Sequence, residues 1–155
     1  DGCSCKNGIE STSLGFENGE PIIYRLGALA IEDIENVIGK VSLKNKKEQN
    51  PEAPGMLAKH YAPKTKTILV DNVKSTLKNY SSQKIGVLVF SESVENTYVD
   101  EIILSSNRNY KEAAANLYDA MHQLDQLDLD VIIAERFPNI DLGKSINDRL
   151  QRATS

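Results

Sequence analysis

The chain has 155 residues, about 40% of them apolar, which suits one ordinary core with an appendage better than two full domains. Its formal charge of −4, with acids and bases interspersed, argues against the dense positive field that duplex nucleic acid requires, and it neither supports nor bars RNA. No apolar run reaches membrane-span length, the first residues lack the order of a signal peptide, and Cys3 and Cys5 sit too close together for a strand-to-strand disulfide. The expectation is a cytoplasmic protein in a reducing compartment, without membrane contact. A lone C-x-C could supply two soft ligands, but His60 and His122 are distant in sequence, so no metal site is expected.

From the amino end, Ile9 to Leu14 and Pro21 to Leu26 are short β-prone stretches, and the turn dipeptide Asn18-Gly19 between them predicts a hairpin. Ala30 to Ile38 carries Ile31, Ile34, Val37 and Ile38 at helical spacing and is stopped by Gly39. A hairpin and one helix bury too little surface to fold alone, so residues 1–39 are expected to be the remnant of a larger domain. Residues 40–66 are polar and interrupted by Pro51, Pro54, Gly55 and Pro63, which predicts a stiff linker. Met56, Leu57, His60 and Tyr61 are contact-seeking side chains for a mere spacer.

From residue 67 to 155 the pattern becomes regular. Apolar runs at Ile68–Val70, Ile85–Phe90, Ile102–Leu104 and Val131–Ala134 predict buried strands. Helices are expected at Val73–Tyr80, at Asn109–Leu127 with Ala114, Leu117, Tyr118, Met121 and Leu124 on one face, and at Asp141–Ala153 with Leu142, Ile146, Leu150 and Ala153 inward. Asn109 followed by Glu112 matches a capping box. The class is therefore α/β: a linker and a remnant precede a Rossmann-like, three-layer domain with a mainly parallel sheet. Ligands in such sheets sit at the carboxyl ends of strands, here near Asp71, Ser91–Ser93, Ser105–Asn107 and Glu135–Pro138.

Several chemical signals have bland counterparts. Gly143-Lys144-Ser145 looks like the tail of a phosphate loop, but Pro138 stands where that loop needs glycine, so Lys144 reads as a solvated helix residue. Asp125, Asp128 and Asp130 match no calcium-loop spacing and read as turn and solvation residues. His122 reads as a boundary residue, and His60 has no partner in sequence for a triad. Glu10-Ser11-Thr12 on the first expected strand and Arg25 before Gly27 on the second can meet across a hairpin. Hydroxyls beside a guanidinium suit a carboxylate or phosphate, though on the residues alone a strand-end serine and a surface arginine explain them more simply.

Taken together, Cys5-Lys-Asn-Gly-Ile-Glu-Ser-Thr12, Ile23-Tyr-Arg-Leu-Gly-Ala28, Ala53-Pro-Gly-Met56, His60-Tyr-Ala-Pro63 and Leu142-Gly-Lys-Ser-Ile-Asn-Asp-Arg-Leu-Gln-Arg-Ala153 resemble the Sua/YrdC/YciO family in its two-domain form. The resemblance implies that residues 1–39 end a YrdC-like catalytic domain, 40–66 are the interdomain linker, and 67–155 are the accessory domain. It implies an L-threonylcarbamoyladenylate synthase, in which L-threonine, bicarbonate and ATP with Mg2+ give threonylcarbamoyl-AMP and pyrophosphate. A partner transferase then modifies position 37 of tRNA. By the same resemblance Ser11 would contact threonine, Arg25 and Tyr61 would contact ATP, and the proline-bounded segment would carry Tyr61 across the cleft as a lid. Leu26 departs from the family's usual proline. The family's triphosphate-gripping residues have no counterpart in this sequence, so the chain alone is expected to be inactive and to hold no Mg2+ itself. The rival readings are a free-standing nucleotide- or RNA-binding module and a structural clamp that touches no ligand.

Overall fold

The computed structural model describes residues 8–44 and 62–154. Cys3, Cys5, Met56, Leu57, His60 and Tyr61 lie outside the described residues. The first unit is a three-stranded sheet. Strand β1 (Ser13–Glu17) runs antiparallel to β2 (Glu20–Arg25), with Glu17 opposite Glu20 across Asn18-Gly19. Asn18 (φ 52°) and Gly19 (φ 85°) both take the left-handed conformation that a two-residue hairpin turn demands, which is why this dipeptide is found there. Helix α1 (Ile31–Ile38) follows and ends at Gly39 (φ 85°), whose N–H returns to the Glu35 carbonyl at 2.9 Å. Strand β3 (Ser42–Leu43) then pairs parallel to β2.

Two sequence expectations change here. The first strand is Ser13–Glu17, not Ile9 to Leu14. The tight turn draws the ladder to its own flanks, and Glu10 and Thr12 instead bond to Ala28 and Leu29. The segment expected to be linker begins with a strand, β3, whose two exposed residues carry no alternation to reveal it.

The second unit is a four-stranded, all-parallel sheet in the order β4-β7-β5-β6, with β4 at Thr67–Val70, β5 at Ile85–Val89, β6 at Val99–Ile103 and β7 at Val131–Glu135. Helix α2 (Val73–Leu77), extended by a 3-10 turn (Lys78–Tyr80), leads from β4 to β5. Helix α3 (Tyr110–Asp125) joins β6 to β7, and α4 (Gly143–Ala153) follows β7. Because β5 and β7 are central, their residues alternate between two cores. Val87, Val89, Val131 and Ile133 meet Val73 and Leu77, while Leu88, Phe90, Ile132 and Ala134 meet Leu117, Leu124, Ile146 and Leu150 of α3 and α4. Each fully buried large aliphatic contributes about 1.5–3 kcal/mol, so these runs fix the layering. On the predicted apolar face of α3, Tyr118 is the exception, 45% exposed.

The acids at the α3–β7 corner do more than solvate a turn. Asp130 accepts the Lys84 N–H at 2.7 Å, and Asp125 accepts the Thr65 N–H at 2.8 Å. They therefore staple the chain entering β5 and β4 to the sheet's amino edge. Burial pushes the Asp125 carboxyl up, but the N–H groups of Thr65 and Lys64 outweigh it and hold the group below its ordinary value.

The capping box at α3 is formed by relay. Asn109 Oδ1 accepts the Lys111 and Glu112 N–H groups at 2.9 and 3.1 Å, but Glu112 bonds to the Ser105 hydroxyl, which accepts the Asn109 N–H at 2.9 Å.

The two units share a core. Ile9 and Ala30, from either side of the hairpin, are buried in the α3–α4 cluster, and Ala28 packs against it.

Candidate functional site

Ser11 and Arg25, which the sequence reading paired, are brought together. Arg25 Nε donates to the Ser11 carbonyl at 3.1 Å, and Ser11 itself is exposed. Serine 11 is bracketed on both sides: the Ala28 N–H donates to the Glu10 carbonyl at 2.9 Å, and the Thr12 hydroxyl accepts the Leu29 N–H and donates to the Leu29 carbonyl, both at 3.0 Å. These bonds flank Leu26 and hold the turn that carries Arg25. Gly27 makes the approach possible. A Cβ at that position would lie 2.2 Å from the Glu10 carbonyl oxygen and 2.4 Å from backbone atoms of Ser11 and Thr12, so the reason for glycine there is steric. The result is an exposed serine whose own carbonyl holds the Arg25 guanidinium on a tightly laced backbone; a hydroxyl and a guanidinium are the residue types that suit a carboxylate or phosphate oxygen.

At the carboxyl edge of the four-stranded sheet, the polar groups bond to one another. Glu135 accepts the Phe90 N–H at 2.7 Å, Arg136 Nε donates to Asp71 at 2.9 Å, Arg108 bonds to Ser91 and Glu92, and Glu101 accepts from Ser93 and the Val94 N–H. Phe90, Tyr110 and Phe137 pack behind them, with centroids 4.5 to 6.4 Å apart. Burial, then the nearby Asp141 carboxylate, pushes the Tyr110 hydroxyl up.

Two residues gain roles that sequence reasoning missed. Lys144 is not a solvated helix residue: its Nζ lies 2.6 Å from Glu32 Oε1 on α1, and its side chain is 26% exposed. Arg149 is buried beside Ile146 and Leu150 and borders a cavity of about 120 Å3 with Ala62, Pro63, Tyr118, Met121, His122 and Asp125. The helical period marked its face, since Arg149 lies three residues after Ile146, but a charge on an inward stripe invites the assumption that it snorkels out. His122 is exposed, stacks on Tyr118 at 6.3 Å and bonds to Gln126 at 2.9 Å, as a boundary residue does.

Residues 29–155 match the family model for the C-terminal domain of threonylcarbamoyl-AMP synthase. The chain belongs to this family. Threonylcarbamoyl-AMP synthase of Bacillus subtilis (strain 168) is 33% identical over 157 residues, covering 94% of this chain and 45% of that protein. The Pyrococcus abyssi synthase is 30% identical over 168 residues, covering 99% and 48%. Among solved structures, P. abyssi Sua5 complexed with L-threonine superposes with a TM-score of 0.81 at 31% identity, covering 96% of this chain and 46% of that one. The chain thus spans somewhat less than half the length of these synthases. Within the threonylcarbamoyl-AMP synthase family, the C-terminal domain match takes in α1, β3 and the whole four-stranded unit. Ser11 and Arg25 lie before its first residue, in the part covered by the longer pairwise similarities.

Proposed function

We propose that this chain is the carboxyl-terminal part of an L-threonylcarbamoyladenylate synthase acting in the cytoplasm. The observation that carries the reading is the likeness, along nearly its whole length, to a synthase structure complexed with L-threonine, combined with the juxtaposition of Ser11 and Arg25. In the reaction the threonine amine and bicarbonate form a carbamate with loss of water. A carbamate oxygen then attacks the α-phosphorus of ATP, and pyrophosphate leaves. Such a step depends on holding two anions in line and on balancing phosphate charge. Ser11 would orient threonine, and Arg25 would face the nucleotide. Tyr61, outside the described residues, would complete the ATP contact as part of a lid.

Mg2+ would enter with the ATP phosphates, as the family resemblance implies for the intact enzyme. The product would pass to a tRNA threonylcarbamoyl transferase, with RNA as a further partner class.

The test is steady-state kinetics of the full-length synthase, followed by pyrophosphate release. Ser11→Ala should raise KM for L-threonine, and Arg25→Ala and Tyr61→Ala should raise KM for ATP, each by roughly tenfold, the scale of one lost charge-assisted hydrogen bond. Unchanged constants in all three would refute the site. Unchanged ATP constants with an intact threonine effect would favour the clamp reading for the linker.

A further inference from the structure

We propose that the four-stranded domain is a positioning scaffold for Ser11, acting through the Lys144–Glu32 ion pair and the seat of Gly8–Ile9 on α3, so that it sets affinity for the amino-acid substrate. The proposal rests on the reading of Ser11 as the threonine contact. Its basis is a continuous set of contacts leading from α3 and α4 to that serine.

On one side, Gly8 lies against the α3 backbone so closely that a Cβ would fall 2.0 Å from the Ala115 carbonyl oxygen and 2.4 Å from that of Ala114. Its neighbour Ile9 is 8% exposed within the α3–α4 core. Ser11 follows two residues later. On the other side, Lys144 of α4 bonds to Glu32 in the first turn of α1, a contact between residues 112 apart in sequence. The chain just before α1 is the stretch that grips the serine segment, through Ala28 N–H to Glu10 and Leu29 to Thr12. Ala30 between them is buried in the same α3–α4 core. Ser11 is therefore suspended between two points anchored on the second domain.

The pair's value is geometric. Lys144 and Glu32 are 26% and 46% exposed, so solvent still screens part of the pair and its contribution to global stability is small. Fixing the tilt of α1 requires no large energy, only a defined distance. A pair kept only for stability should show its effect in melting, whereas a positioning pair should show it in substrate affinity.

The experiment uses the full-length synthase carrying Lys144→Met, Glu32→Gln, both together, and the exchanged pair Lys144→Glu with Glu32→Lys. Ser11→Ala serves as the reference. The expected result is a rise in KM for L-threonine of about three- to tenfold in each single variant, with kcat and melting temperature nearly unchanged. The double variant should be no worse than the singles, and the exchanged pair should recover part of the loss. An unchanged threonine KM in Lys144→Met, where Ser11→Ala raises it, overturns the scaffold and leaves the Ser11 reading standing. An unchanged KM in Ser11→Ala overturns the Ser11 reading and the scaffold with it.

Discussion

Gly27→Ala is the substitution whose consequence follows most directly from the geometry. The new methyl would meet the Glu10 carbonyl oxygen at 2.2 Å, the Ser11 carbonyl carbon at 2.4 Å and the Thr12 nitrogen at 2.4 Å. All three are backbone atoms with no rotamer to move, so the segments 10–12 and 25–29 must separate. Overpacking of this kind costs about 1–3 kcal/mol. Separation also weakens the Ala28–Glu10 bond and the paired Thr12–Leu29 bonds, adding roughly 0.5–1.5 kcal/mol. The expected loss is about 2–4 kcal/mol, read by urea unfolding as a lower midpoint at constant slope. Gly19→Ala is the control: nothing lies within 4 Å of its added methyl, and only the φ of 85° resists, at about 1 kcal/mol. Equal stability of Gly27→Ala and the native chain would refute the close approach. So would a larger loss in Gly19→Ala than in Gly27→Ala.

Asp125→Ala should destabilise the chain by about 1–3 kcal/mol, because it strands the half-buried Thr65 N–H. Asp125→Asn keeps an acceptor for that N–H, so it should cost less stability than Asp125→Ala in urea unfolding; the reverse order would contradict the staple. In acid, Glu17 and Glu32 matter. Hydrogen bonds from Lys44 and Lys144 respectively hold these carboxyls below their ordinary value of 4.5. With folded values below unfolded ones, the unfolded chain binds more protons. Their contribution is present above pH 4.5 and fades as pH falls through the folded values. Below pH 4.5 the melting temperature should fall slightly less steeply with pH in Glu32→Gln than in the native chain, a small difference because the pair is partly exposed.

How far the sequence revealed these features depended on how local each cause was. The apolar runs of β5 and β7 are uninterrupted because both faces are covered, and they were readable as buried strands. Strand β6 begins at Val99, earlier than the expected Ile102, because Asp100 and Glu101 break the apolar run on an edge strand that tolerates them. Strand β3 has no pattern of its own and exists through pairing with β2. The meeting of Ser11 and Arg25 was foreseeable from a hairpin, although the bonds that achieve it lie outside the ladder. The Asp125 staple and the Lys144–Glu32 pair join residues 60 and 112 apart, and neither spacing leaves a trace in a periodicity.

Pyrophosphate release from ATP by the full-length synthase, measured with L-threonine and bicarbonate supplied or withheld, tests the central claim most directly. Release should require both co-substrates, and Ser11→Ala should weaken the response to threonine specifically. Release that proceeds equally without threonine, or a Ser11→Ala enzyme with an unaltered threonine response, would contradict the placement of this chain at the substrate site.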